Sequence, residues 1–207
     1  MPVPLHGWAH GTELVVSSMD THTTGPSMPR FAALLRAINV GGRTVKMTEL
    51  CTLFEQARLT NVRSVIASGN VLFESRATDA AALEKRIESA LRKGLGYDVG
   101  TFLRTPDELD AVVAHDPFDR ADPVLDSHTV HVIFTRSTIS PSSAARIAAL
   151  ATDYDEFHVF GREVFWRTRG RSSDSPIKPG AFARAFDASG TARNITTVRK
   201  LAAKIRE

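Results

Sequence analysis

Between residues 30 and 104, six periodic segments follow one another in an order that admits few folds. Phe31 to Ile38 is an almost continuous apolar run broken by Arg36, the pattern of a central strand. Asn39-Val40-Gly41-Gly42 then forces a turn. Met47, Leu50, Cys51, Phe54 and Ala57 recur at helical spacing, which predicts an amphipathic helix over 47–58 with Cys51 on its buried face. Val62–Ala67 and Val71–Glu74 are short β-rich runs joined at Ser68-Gly69-Asn70, a hairpin signature. A second helix is predicted over 79–93, capped by Thr78 and stopped at Gly94, and Val99–Arg104 supplies a further strand.

The order β-α-β-β-α-β is that of a split βαβ, or ferredoxin-like, unit, whose sheet order is 4-1-3-2. Downstream, Thr105-Pro106-Asp107-Glu108 is a helix start with a cap, a proline at the first position and a glutamate three residues on. Thr129–Thr135 reads as a strand, Ser140-Pro141 opens a helix, and Glu156–Phe160 with Glu163–Thr168 form a hairpin at Gly161-Arg162. Helices near 180–187 and 195–206 complete a second half that reads β-α-β-β-α. The fold class is therefore α+β, with two ferredoxin-like subdomains of antiparallel sheet. The division is a flexible N-terminal extension over 1–29, one subdomain over 30–104, and a second over 105–207 that ends in a basic helix.

At 207 residues, 43% hydrophobic and 24% charged, the chain has enough apolar surface for a core, and one cysteine excludes an intrachain disulfide. The absence of a long apolar run or a leader pattern predicts no membrane association and a cytoplasmic location. Charge is unevenly placed. Residues 162–207 hold eleven basic and four acidic residues, a net +7, whereas residues 30–161 are net −2. Such asymmetry points to an anionic partner, against the alternative of a solvated charged face.

Two loops are predicted to converge, because neighbouring strands of this sheet run antiparallel: Asn39-Val40-Gly41-Gly42 and Ser68-Gly69-Asn70. A glycine turn that opens a helix offers backbone N–H groups and the positive end of the helix dipole to an oxyanion. The candidate ligand residues are Arg36, Asn39, Gly41, Gly42, Lys46, Ser68, Gly69 and Asn70. In the C-terminal helix, Arg193, Thr197, Lys200 and Lys204 share one stripe, with Asn194 at its start. Arg193, Asn194, Thr197 and Lys200 join the candidates if that helix docks against the Asn39–Gly42 loop. No nucleophile or general base stands out, no cofactor is indicated, and His128 and His131 face opposite sides of a strand, so no metal site is expected.

Leu34–Gly42, Lys46-Met47 with Glu49-Leu50, Ser68–Val71 and Thr191–Asn194 with Thr197-Val198 and Lys200-Leu201 together resemble the bacterial family known as domain of unknown function 1697. The resemblance runs from about Arg30 to the C-terminus and implies a two-part ferredoxin-like α+β fold without an assigned activity. The chain departs from the family pattern at Ala37, where glycine is typical, and at Ile195, where an aromatic is typical. The leading expectation is a binder of a small anionic or phosphorylated ligand, with or without an enzymatic reaction. The alternatives are a non-catalytic nucleic-acid-binding module on the basic C-terminal surface and a protein-interaction domain. An RNA-recognition reading lacks stacked aromatics, since the third strand offers only Phe73.

Overall fold

The central strand of each sheet is apolar on both faces, so each sheet must be covered twice. A computed structural model describes residues 28–39, 42, 44–66, 69–118, 128–186 and 189–207. The extension over 1–27 lies outside the described residues. The elements are β1 (Arg30–Arg36), α1 (Met47–Gln56), β2 (Thr60–Ser64), β3 (Asn70–Glu74), α2 (Ala80–Leu95), β4 (Gly100–Arg104) and α3 (Pro106–Ala114). After these come β5 (Thr129–Thr135), α4 (Pro141–Ala148), β6 (Asp155–Phe160), β7 (Glu163–Thr168), a 3-10 turn (Ser172–Asp174), α5 (Pro179–Ala185), β8 (Gly190–Asn194) and α6 (Ile195–Ile205). The sheets have the orders β2-β3-β1-β4 and β6-β7-β5-β8, all antiparallel. This is the expected α+β fold with two split βαβ units.

Strand alternation distributes β1 between two cores. Phe31, Ala33 and Leu35 pack with α1 and α2 through Leu50, Phe54, Leu83 and Ile87, whereas Ala32 and Leu34 face the other way. That second face, with Leu72 and Phe102, meets Leu109 and Val112 of α3 and Val198, Leu201 and Ile205 of α6. The same two helices cover Val132, Phe134 and Phe165 of the second sheet. A smaller core of Ile133, Ile147, Val164 and Ala185 lies beneath α4 and α5. The layers are thus helix, sheet, helix pair, sheet, helix, and α3 and α6 form the shared centre.

Local chemistry accounts for most element ends. The Thr105 hydroxyl accepts the Glu108 N–H while the Glu108 carboxylate accepts the Thr105 N–H, a complete capping box. Two expectations need correction. Asp79, not Thr78, caps α2 by accepting the N–H groups of Ala81 and Ala82. Gly94 does not stop that helix, which ends at Gly96 with φ of +80°. A Cβ on Gly94 would lie 2.3 Å from Leu53 Cδ2, so Gly94 instead lets α1 and α2 approach. The second half also carries a strand the periodicity did not reveal, β8, which completes β-α-β-β-α-β. Each half is then followed by one central helix, so the pattern of β1 to α3 recurs in β5 to α6.

Candidate functional site

The end of β1 and the start of β3 meet as antiparallel pairing requires. The Leu35 N–H donates to the Gly69 carbonyl at 2.8 Å, and a Cβ on Gly69 would lie 2.7 Å from Ile38 Cγ2. The Asn39 and Asn70 loops therefore lie at the same end of the sheet. Left-handed backbone concentrates there, at Ala37 (φ +62°), Gly42 (+79°), Ile66 (+56°) and Gly69 (+74°). Asn39 Oδ1 accepts the Val45 N–H at 2.9 Å, and the Tyr97 hydroxyl donates to the Ile38 carbonyl, so both ends of the loop before α1 are pinned. Helix α1 begins at Lys46 with no side-chain cap. Arg36 and Lys46 are exposed, and neither has an ion pair among the described residues. Gly41 and Ser68 lie outside the described residues.

Arg193 reaches this end of the sheet from the other unit. Its Nε donates to Asn70 Oδ1 at 2.6 Å, and Nη2 donates to the carbonyls of Leu35 at 2.8 Å and Gly69 at 3.2 Å. Nη1 donates to the Thr191 hydroxyl and the Ala192 carbonyl. Asn70 is fully buried and donates to the carbonyls of Val65 and Ile66. Burial pulls the Arg193 guanidinium down to about 10, which leaves it charged at neutral pH. Arg193 and Asn70 thus join the two units, and their polar atoms are engaged by the protein itself.

The same arrangement exists in mirror assignment at the other unit. Leu34 pairs with Asn70 in the first sheet and Phe134 with Glu163 in the second, which aligns Leu35 with Thr135, Gly69 with Arg162 and Asn70 with Glu163. Arg104, at the end of β4, donates to Glu163 Oε1 at 2.6 Å, to the Thr135 carbonyl at 2.8 Å and to the Arg162 carbonyl at 3.4 Å. Each unit therefore lends an arginine to the matching strand ends of its partner. Arg104 is fully buried, and desolvation lowers its pKa. Sequence reasoning missed Arg104 because a guanidinium in a strand carries no periodic signal. Only the topological duplication pairs it with Arg193.

The remaining C-terminal candidates do not join the loop. Asn194 Oδ1 accepts from the Thr196 N–H and hydroxyl and so caps its own helix. Thr197 is half-buried and Lys200 exposed, and Lys200 lines a groove with Ser64, Val65, Ile66 and Lys204. Much of the C-terminal positive charge is paired: Arg162 with Glu108, Arg167 with Glu156, Arg206 with Asp107 and Asp110, and Lys204 with Glu207. The N–H groups of Thr101 and Leu103 on edge strand β4 donate to Glu88 and Glu84 of α2, and Arg136 pairs with both carboxylates. Burial raises the Glu84 pKa, which this edge protection explains without catalysis.

The family model described as protein of unknown function DUF1697 matches residues 28–165. The chain belongs to this family. The match covers β1 through the first half of β7 and stops short of Thr191–Leu201. The conserved bacterial protein SP0830 from Streptococcus pneumoniae has a similar structure, with a TM-score of 0.68 at 22% identity over 87% of this chain and 100% of that one. This similarity shows the shared fold. No curated protein matches the chain. Among the described residues, no helix is long and apolar enough to cross a membrane.

Proposed function

We propose that this DUF1697 protein binds a small anionic or phosphorylated ligand at the loop between β1 and α1. The observation that carries the reading is the start of α1, where a lysine occupies the N-cap and no side chain accepts the orphan N–H groups. A cation there opposes the helix dipole, and an anion seated between Lys46 and the first turn relieves both defects. Arg36, at the end of β1, and the hydrogen bond from the Val45 N–H to Asn39 Oδ1 beside the start of α1 support the same reading. Helix α5 also starts at a lysine, Lys178, but it spans seven residues and Pro179 removes one donor. Asn70 and Arg193 then act as the floor of the site, positioning the loops without touching ligand.

A thermal-shift and calorimetric screen of phosphate, pyrophosphate, nucleotides and sugar phosphates tests the reading. A phosphorylated small molecule should stabilise the chain, and Lys46→Ala and Arg36→Ala should weaken its binding while leaving the fold intact. If only oligonucleotides stabilise the chain, the loop reading fails in favour of a nucleic-acid surface.

A further inference from the structure

The two halves also place matching cavities beside their central helices. The first lies between the start of β1, the start of α3 and the end of α6, and is lined by Arg30, Asp107 and Arg206 among others. The second, of about 410 Å³, lies between the start of β5, the start of α6 and the chain that follows α3. Because Leu34 matches Phe134, Arg30 corresponds to Val130 and Glu74 to Arg167. Because Thr105 and Asn194 are the N-caps of α3 and α6, Asp107, Glu108 and Asp110 correspond to Thr196, Thr197 and Arg199.

Between the two cavities the charge is reversed. In the first half, Arg30 pairs with Glu74, Arg206 pairs with Asp107 and Asp110, and Glu108 closes the capping box, so its charges satisfy one another. In the second half every carboxylate at those positions is gone, and two arginines stand in their place. Arg167 keeps one ion pair, to Glu156, and lies 4.9 Å over the Phe118 ring. Its Nη1 is buried and has no hydrogen-bond partner among the described residues, and neither ring nitrogen of His128 has one. Arg199 is exposed and unpaired among the described residues. Among the described residues that line the cavity, Asp116 is the one carboxylate beside the two arginines. Burying the Arg167 Nη1 donors, or the single N–H of a neutral imidazole, without an acceptor is costly, and the cost is removed when an acceptor arrives.

We infer that the cavity lined by Arg167, His128 and Arg199 is a second binding site, for a phosphate-bearing small molecule. Guanidinium groups bind phosphate oxygens in pairs of parallel hydrogen bonds, which a lysine pocket does not offer. A cavity of about 410 Å³ has room for more than a bare ion, such as a phosphate that carries an organic or second phosphoryl group. The site is independent of the β1–α1 loop, with which it shares no residue.

Amide NMR of the full chain titrated with inorganic phosphate and with pyrophosphate tests the inference. Pyrophosphate should shift the amides of residues 128–130 and 194–199. Arg199→Glu, at an exposed unpaired position, should leave the melting temperature unchanged and weaken that response by about tenfold or more. Lys46→Ala should leave it intact. Shifts confined to residues 39–49 would overturn this site while supporting the loop. Shifts at 194–199 that survive Arg199→Glu, or none there up to millimolar pyrophosphate, would overturn it too.

Discussion

Ala37 holds a φ of +62°, a conformation in which its Cβ crowds the neighbouring carbonyl, and its side chain is exposed. Removing the methyl should relieve strain without losing packing, so Ala37→Gly is expected to stabilise the chain by up to ~1 kcal/mol, read from the denaturant midpoint. A lower midpoint would mean that the strain is not borne at this residue. Glycines of the same loops should rank by their surroundings. Gly42 has φ of +79°, and a Cβ added there would meet nothing within 4 Å, so Gly42→Ala should cost ~1 kcal/mol of backbone strain alone. At Gly69 a Cβ would also meet Ile38 at 2.7 Å and Leu35 at 3.2 Å, and Gly69→Ala should cost ~2–4 kcal/mol.

At the scale of elements, the helix starts are unequal. α2, α3, α4 and α6 are capped by Asp79, Thr105, Ser140 and Asn194, whereas α1 begins at Lys46 with none. Lys46→Ser supplies the missing acceptor and removes an unfavourable charge, and should stabilise the chain by ~1 kcal/mol. The same substitution should abolish the anion response of the β1–α1 loop. Opposite signs for stability and binding are what a site that forgoes stability for function produces. A variant that is more stable and binds as before would remove Lys46 from the site.

For the whole molecule, the exchanged arginines and the shared α3–α6 core predict one cooperative unfolding transition. Glu163→Ala strands the fully buried Arg104 without its carboxylate and should cost ~3–5 kcal/mol, measured by denaturant titration. We propose that the units over 30–104 and 105–207 do not fold apart, since the first alone would expose Ala32, Leu34, Leu72 and Phe102. Calorimetric and van't Hoff enthalpies should therefore agree, and a monomeric 28–104 fragment that melts cooperatively would refute this. Stability should also depend on pH. Burial lowers the pKa of His131, and burial with the neighbouring His158 lowers that of His115, so both favour the neutral form in the folded chain. That stability is fully present above the ordinary histidine value of about 6.5 and is lost as pH falls through the lower folded values. The melting temperature should be level above about pH 7 and decline below about 6.5, and His131→Phe should flatten part of the decline.

The order β-α-β-β-α-β, the capping box at Thr105 and the convergence of the Asn39 and Asn70 loops were legible in the sequence. Each rests on contacts close along the chain, or on the antiparallel rule that periodicity already implies. The helix ends at Asp79 and Gly96 were misplaced by one or two residues, because Gly94 looks like a stop until Leu53 is seen against it. Strand β8 was invisible: Gly190-Thr191-Ala192-Arg193-Asn194 has no alternating apolar pattern, and pairing with β5 makes it a strand. Arg193 and Asn70 looked like ligand residues because residue type does not reveal whether a guanidinium meets solvent or a carbonyl. Only the docking of the two units across α3 and α6 decides that. It buries Arg104 and Arg193 as exchanged ties and leaves Lys46, Arg36 and Arg199 at the surface, without an ion pair among the described residues.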